Sequence, residues 1–157
     1  MLDLGIVRKA KCIDLPKITE LEKSCFDNEI AYNKKQLKYL ITQANSNCLV
    51  EIFKDEIRGF LVVLYKKGTD VAGIETISVD NKHRCKGIAE KLLFTSEEEM
   101  FFRGIKKIRL EVSIGNTAAI KLYQKSGYRI ISILKNYYNF NHFGTHDAYR
   151  MIKELTT

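Results

Sequence analysis

Three groups of residues have types and spacing suited to chemistry. Arg84-x-x-Gly87-x-Ala89 stands between a β-like apolar run ending at Val79 and a helix-like run beginning at Ile88. Glycine at 87 has no side chain, so the backbone there can approach a ligand closely. A helix starting just after it aims free N–H groups, and the positive end of its dipole, at the same spot. Lys82, Arg84 and Lys86 add positive charge. The arrangement suits a pyrophosphate, although a plain loop-to-helix joint also explains Gly87. It is neither a P-loop nor a dinucleotide fingerprint, because GxxxxGK and GxGxxG are both absent. The second group is a pair of acids in strand-like runs. Glu111 lies between Leu110 and Val112, and Glu75 sits on the preceding strand. Glu111 is either a proton acceptor or a strand glutamate paired with a neighbouring cation, and Glu75 is a second acceptor, a structural residue or a contact for an incoming amine. The third is Tyr123, a proton donor or an ordinary tyrosine on an amphipathic helix.

The elements that position these groups follow from periodicity. Residues 4–10 read as a strand. Asp14 offers an N-cap, with Pro16 in the first turn of a helix running to about Phe26 through Ile18, Leu21, Glu22 and Cys25. Asn33 and Gln36 form a capping-box pattern for a second helix, ended by Asn45-Ser46-Asn47. Runs 48–54 and 57–65 flank Asp55-Glu56, which predicts a tight hairpin. Residues 71–79 form the next strand. Ile88, Leu92, Leu93, Ser96, Met100 and Phe101 recur at helical spacing until Arg103-Gly104. Strand 105–112, a helix from Thr117 to about Lys125, and strands 128–134 and 146–153 complete the order. Strands 71–79 and 105–112 are joined through a helix, so they are expected to be parallel neighbours in a mixed sheet.

Composition narrows the class. The chain has 157 residues, enough for one core, and is 45% hydrophobic and 29% charged, a globular rather than disordered balance. No apolar run is long enough to span a bilayer, and the N-terminus lacks an apolar signal core, so a cytoplasmic location is expected. Cys12, Cys25, Cys48 and Cys85 form no CxxC pair, and His83, His142 and His146 show no ligand spacing; no metal is expected. Residues 82–135 carry 12 lysines and arginines against 5 acids, which accounts for the whole net charge of +7. The partner of that segment should be an anion. No basic run or nucleic-acid motif is present, so nucleic acid is not expected.

Two blocks carry a resemblance. ISVDNKHRCKGIAEKLL, followed by LEVSIGNTAAIKLYQKSGY, resembles the acetyl-coenzyme A core of the GNAT superfamily of N-acetyltransferases. The first block is similar to the superfamily's Q/R-x-x-G-x-G/A motif. The second is similar to N-x-x-A-I-x-L-Y-x-x-x-G-F/Y, through Asn116, Ala119, Ile120, Leu122, Tyr123, Gly127 and Tyr128. KNYYNFNHFGTHDAYRM resembles the ending of the protein N-terminal acetyltransferase branch, which includes ribosomal-protein alanine and archaeal Nα-acetyltransferases. CFDNEIAYNKKQL more loosely resembles the branch's first substrate loop. Nearly the whole chain is covered. It departs from the pattern at Ala89, where glycine is commoner, at Gly115, where serine is common, and at Asn28-Glu29, where relatives often place an aromatic and a proline.

The resemblance implies a single domain over 1–157 with the GNAT α/β fold: a seven-stranded, mostly antiparallel mixed sheet, a central parallel pair and four flanking helices. It implies acetyl-CoA as co-substrate, held by Ile77, Ser78, Val79, Arg84, Cys85, Lys86, Gly87, Ile88, Ala89, Asn116, Ala119 and Tyr123. The backbone of Ile77 to Val79 is expected to pair with the pantetheine amides, with an N–H near Val79 facing the oxyanion. Glu111 is the implied base, with Glu75 as second candidate. Tyr123, a phenol of ordinary pKa near 10, is the implied donor to a thiolate whose conjugate acid lies near 8.5. Phe26, Tyr32, Tyr137 and Tyr138 are the implied substrate contacts. The expected acceptor is the α-amine of protein N-termini, with ribosome association or a homo-oligomer open as partnerships. Competing readings are a small-amine or lysine acetyltransferase and a catalytically silent coenzyme A-binding or nucleic-acid-associated module. Retention of both Glu111 and Tyr123 argues against the silent module.

Overall fold

In the computed structural model, which describes residues 5–27 and 29–155, one seven-stranded sheet runs through the molecule. Leu4, in the expected first strand, and Asn28 lie outside the described residues. The strands are β1 (Ile6–Lys9), β2 (Ser46–Phe53), β3 (Glu56–Tyr65), β4 (Val71–Val79), β5 (Lys107–Ser113), β6 (Arg129–Leu134) and β7 (Ala148–Glu154). Their order is β1-β2-β3-β4-β5-β7-β6, and every pair is antiparallel except β4 with β5. The helices are α1 (Leu15–Cys25), α2 (Lys34–Thr42), α3 (Ile88–Phe102) and α4 (Thr117–Lys125).

The apolar run of β3 explains the layering. Phe60 and Val62 face one side with Ile18, Leu21, Leu37 and Leu40 of α1 and α2. Leu61 and Val63 face the other with Leu92, Leu93 and Met100 of α3 and Tyr123 of α4. A strand buried on both faces has no polar alternation, as its sequence shows. Arg103-Gly104 and Ser126-Gly127 end α3 and α4; the glycines have φ of 81° and 95°, in the left-handed region.

Three local expectations are corrected. The hairpin turn is Lys54-Asp55, with φ of 50° and 63°, not Asp55-Glu56. Two successive left-handed residues are what a two-residue turn needs to match strand twist. Ser46 and Asn47 belong to β2 rather than to the stop of the second helix. Asp14 makes no cap bond to α1. Its carboxylate accepts from Lys11 N–H at 2.7 Å and pairs with Arg8, closing the short turn Cys12–Asp14 instead. The Arg8 hydrogen bonds hold the Asp14 carboxyl below the usual range, against the opposing effect of burial.

The β4–β5 pairing matters most for function. It holds only from Val71 to Gly73 against Lys107 to Arg109. Beyond that the two strands part. β4 pairs with β3 through Val79, but the register jumps between Val62↔Thr76 and Val63↔Ile74, leaving Glu75 as the extra residue of a bulge. The separated strand ends form the walls of a cleft. No helix is long and apolar enough to cross a membrane among the described residues.

Candidate active site

The cleft between β4 and β5 has a volume of about 400 Å³. It is lined by Glu75, Ile77, Glu111, Asn116, Ala119 and Tyr123, and by Phe26, Tyr32, Tyr137 and Tyr138. Residues placed in three separate roles by sequence thus meet in one space.

Glu111 faces Arg150 directly across the β5–β7 pair. Arg150 Nε is 3.3 Å from its Oε2, and Arg109 Nε is 3.5 Å away. The paired-strand-glutamate alternative is therefore present in the geometry, inside the cleft. To act as a base, Glu111 must share a lone pair that now accepts from Arg150 beside the Arg109 cation. Glu75 projects from the bulge and accepts from Tyr32 Oη at 2.9 Å. Tyr137 feels both carboxylates. Burial raises its phenol pKa first, and Glu111 and Glu75 raise it further. Burial, then Tyr137 and Glu111, push Tyr138 up to about 12.

Tyr123 is 6% exposed, and its pKa is raised mainly by burial. It packs edge-on against Tyr128 at 5.7 Å. Such a phenol keeps its proton at any ordinary pH. Asn116 caps α4, its Oδ1 accepting from Ala119 N–H at 3.2 Å. That bond is local, so capping is an assigned role for Asn116 whatever else it touches.

Residues 84–89, expected to hold a pyrophosphate, lie outside this cleft's lining. Gly87 is the N-cap of α3, with φ of 79° and open space where a Cβ would sit. Cys85 is exposed and also left-handed, with φ of 62°. A non-glycine residue in that region marks local strain of the kind found at ligand loops. Ile88 is 4% exposed and its side chain packs in the core, leaving only its N–H for a ligand. Ser78 is buried as well, its Oγ 3.2 Å from Glu22 Oε1. Arg84 folds back toward the end of β4, Nε 3.5 Å from Val79 O and a terminal nitrogen 3.7 Å from Cys25 Sγ. Lys86 Nζ lies 3.3 Å from His83 Nδ1. The edge of β4 turned away from β3 at Ile77 to Val79 has no partner on β5. An open strand edge leading to a left-handed glycine and a helix N-terminus fits an amide-bearing arm with a pyrophosphate at its end.

Two residues escaped the sequence reading. Glu22 is 2% exposed and joins α1 to the sheet and to the α1–α2 loop. Its Oε1 accepts from Thr76 Oγ1 at 2.8 Å and from Ser78, and its Oε2 accepts from Tyr32 N–H at 3.0 Å. A glutamate on the apolar face with Ile18, Leu21 and Cys25 was the available signal. His142 lines the cleft from the β6–β7 loop; a lone histidine in an aromatic-rich loop gave none. His83 also comes within ligand-like distance of Glu56 and Asp80, a grouping that spacing did not reveal. Asp80 is already held by Lys82 N–H at 3.0 Å and by Lys17 at 3.8 Å.

Residues 15–128 match the family model described as the acetyltransferase (GNAT) family. The chain belongs to this family. Ribosomal protein bS18-alanine N-acetyltransferase from Haemophilus ducreyi is 41% identical over 69 residues, 44% of this chain; the match spans about half, 48%, of that relative. N-alpha-acetyltransferase 30 from Schizosaccharomyces pombe is 32% identical over 124 residues, covering 77% of this chain and 80% of that one. Among solved structures, the Escherichia coli ribosomal-protein-S18-alanine N-acetyltransferase superposes with a TM-score of 0.84 at 22% identity, covering 98% and 96% of the two chains. That likeness shows the GNAT fold, with its seven-stranded mixed sheet, parallel pair and four helices.

Proposed function

We propose that this GNAT protein transfers an acetyl group from acetyl-CoA to the α-amine of protein N-termini. The observation that carries the reading is the cleft, in which two carboxylates and a buried phenol lie beneath a rim of Phe26, Tyr32, Tyr137 and Tyr138. Tyrosine hydroxyls at a narrow entrance can bond the first peptide groups while the rings wall the first side chain. A chain end offers peptide groups beside its amine. A lysine stem offers none at that depth. The named functions of the bacterial and fission-yeast relatives support the same acceptor class.

The residues divide the chemistry. The bound thioester supplies the acetyl group. An α-amine has a pKa near 8 and needs only a modest base; Glu111 takes its proton, directly or through a water. The protonated Tyr123 phenol supplies the proton that the departing thiolate requires. Gly87, the N–H groups of Ile88 and Ala89, and the free edge of β4 hold the cofactor. A cytoplasmic location belongs to the same proposal, as does association with either the ribosome or a second copy of the chain; the bacterial relative's naming for a ribosomal protein supports the ribosome.

The test is acetyl transfer to peptides with free and blocked N-termini, run beside polyamines, with mass spectrometry to place the label. Free α-amines should be acetylated at least tenfold faster than a blocked peptide with an internal lysine. Label found mainly on lysines or polyamines overturns the acceptor class.

A further inference from the structure

We propose that His142 selects the acceptor's first residue, favouring a hydroxyl-bearing side chain, threonine or serine, over an apolar one of the same size. The inference rests on the N-terminal acceptor proposed above. His142 is 4% exposed, and its Nδ1 is shielded from solvent with no hydrogen-bond partner among the described residues. Buried polar atoms are almost always paired, so an orphan at a ligand cleft asks for a partner that arrives with the ligand.

Its surroundings say where that partner enters. The imidazole sits between the two loops that rim the cleft. Its ring centroid is 6.0 Å from that of Phe26, on the first loop, and 4.8 Å from that of Tyr138, on the second. Phe143 packs on it at 4.6 Å. A side chain projecting between the two loops would meet these apolar rings, and a turn of the imidazole about its side-chain torsions would present the shielded nitrogen to it.

The backbone of His142 is held in place. His142 O accepts from Ser113 Oγ at 2.8 Å, and His142 N–H donates to Thr145 O at 2.8 Å. Ser113 ends β5, so the histidine is fixed to the strand that carries Glu111. Burial lowers the imidazole pKa; Asp27 is the charged group that acts on it, in the opposite sense. A neutral imidazole has one donor nitrogen and one acceptor. A hydroxyl both donates and accepts, so threonine or serine satisfies Nδ1 in either tautomer. Valine or alanine leaves it unpaired, and a site that keeps a buried polar group unpaired discriminates against that ligand.

The test compares kcat/KM for peptides identical except for a first residue of Thr or Val, and of Ser or Ala. The wild type should prefer the hydroxyl member about tenfold, the scale of one buried hydrogen bond. In His142→Phe the ring remains but Nδ1 is gone, and the ratio should fall to near one. His142→Asn, whose amide takes the place of Nδ1, should keep most of the preference. A wild-type ratio within twofold, or a ratio that survives in His142→Phe, overturns the inference while acetylation of free α-amines stands. Failure to acetylate any free α-amine peptide instead removes the acceptor class on which it rests. If His142→Phe does not fold, the wild-type ratio together with its retention in His142→Asn decides.

Discussion

Glu111 and Arg150 face each other in register across β5 and β7, with Arg150 Nε 3.3 Å from Glu111 Oε2. The pair stands in the wall of the cleft, so the same carboxylate serves the sheet and is proposed to serve the reaction. Stability and rate separate these roles. A partly exposed pair of this kind contributes at most about 1 kcal/mol to folding. A general base contributes about 10²- to 10⁴-fold in rate. Glu111→Gln should therefore lower kcat by at least a hundredfold at neutral pH with little loss in thermal stability. The deficit should shrink at high pH, where the amine is already neutral. A wild-type rate in Glu111→Gln, with loss in Glu75→Gln, would move the base to the bulge residue of β4.

Tyr123 is buried between α4 and the cleft, and its raised pKa keeps it protonated. Tyr123→Phe removes one oxygen and little volume. Turnover should fall about a hundredfold while the KM for acetyl-CoA changes less than threefold. Steady-state kinetics with acetyl-CoA varied at saturating peptide reads both quantities. An equal rise in KM with unchanged kcat would make Tyr123 a packing residue of the cofactor arm.

Gly87 and Gly68 separate backbone strain from ligand approach. Both are left-handed, with φ of 79° and 77°, and at neither does any atom lie within 4 Å of where a Cβ would sit. Alanine at either site should cost about 1 kcal/mol of stability through the backbone alone. Only Gly87 opens α3 beside the proposed pyrophosphate site. Calorimetry should show acetyl-CoA affinity reduced at least tenfold in Gly87→Ala and unchanged in Gly68→Ala. Equal affinity in both would remove the phosphate role from this loop.

Glu22 makes stability depend on pH in an identifiable direction. Burial raises its carboxyl pKa, only partly offset by the hydrogen bonds from Tyr32 N–H, Thr76 and Ser78. The folded chain then holds a proton that the unfolded chain has already released. Stability must fall as pH rises from the unfolded value near 4.3 through the raised folded one. Glu22→Gln lacks this titration. Denaturant melts from pH 4 to 7 should show the wild type losing stability relative to Glu22→Gln as pH rises. Parallel curves would mean that Glu22 ionises in the folded state as it does in the unfolded one.

Glu22 also marks the limit of what the sequence could tell. Elements set by local spacing were legible: the Asn33–Gln36 capping box and the glycine stops after α3 and α4; the parallel β4–β5 pair followed from the helix that joins its strands. Positions decided by partners far along the chain were not. Glu22 is defined by Thr76 and Ser78, and His142 by Phe26 and Ser113. Asp14 has ideal N-cap chemistry, yet Arg8 on β1 draws its carboxylate away from α1. The bulge that projects Glu75 arises in the β3–β4 pairing, which an alternating pattern on β4 alone does not reveal.

Gly115 shows a departure from the family pattern acquiring a physical reason. Serine is common at this position in the motif. Here a Cβ would collide with Phe143 O, a backbone atom of the β6–β7 loop. No side-chain rotation relieves such a contact, so the loop itself would have to move. That loop carries His142 and Tyr138, and its neighbouring anchor is the Ser113–His142 bond. Gly115→Ala should therefore cost about 1–3 kcal/mol of stability, the usual range for overpacking. It should also disturb the peptide side of the cleft more than the cofactor side. Peptide KM is expected to rise at least fivefold, with acetyl-CoA affinity by calorimetry within twofold of wild type. A stable Gly115→Ala with unchanged peptide KM would show that the loop does not need its close seat on the β5–α4 turn to form the acceptor site.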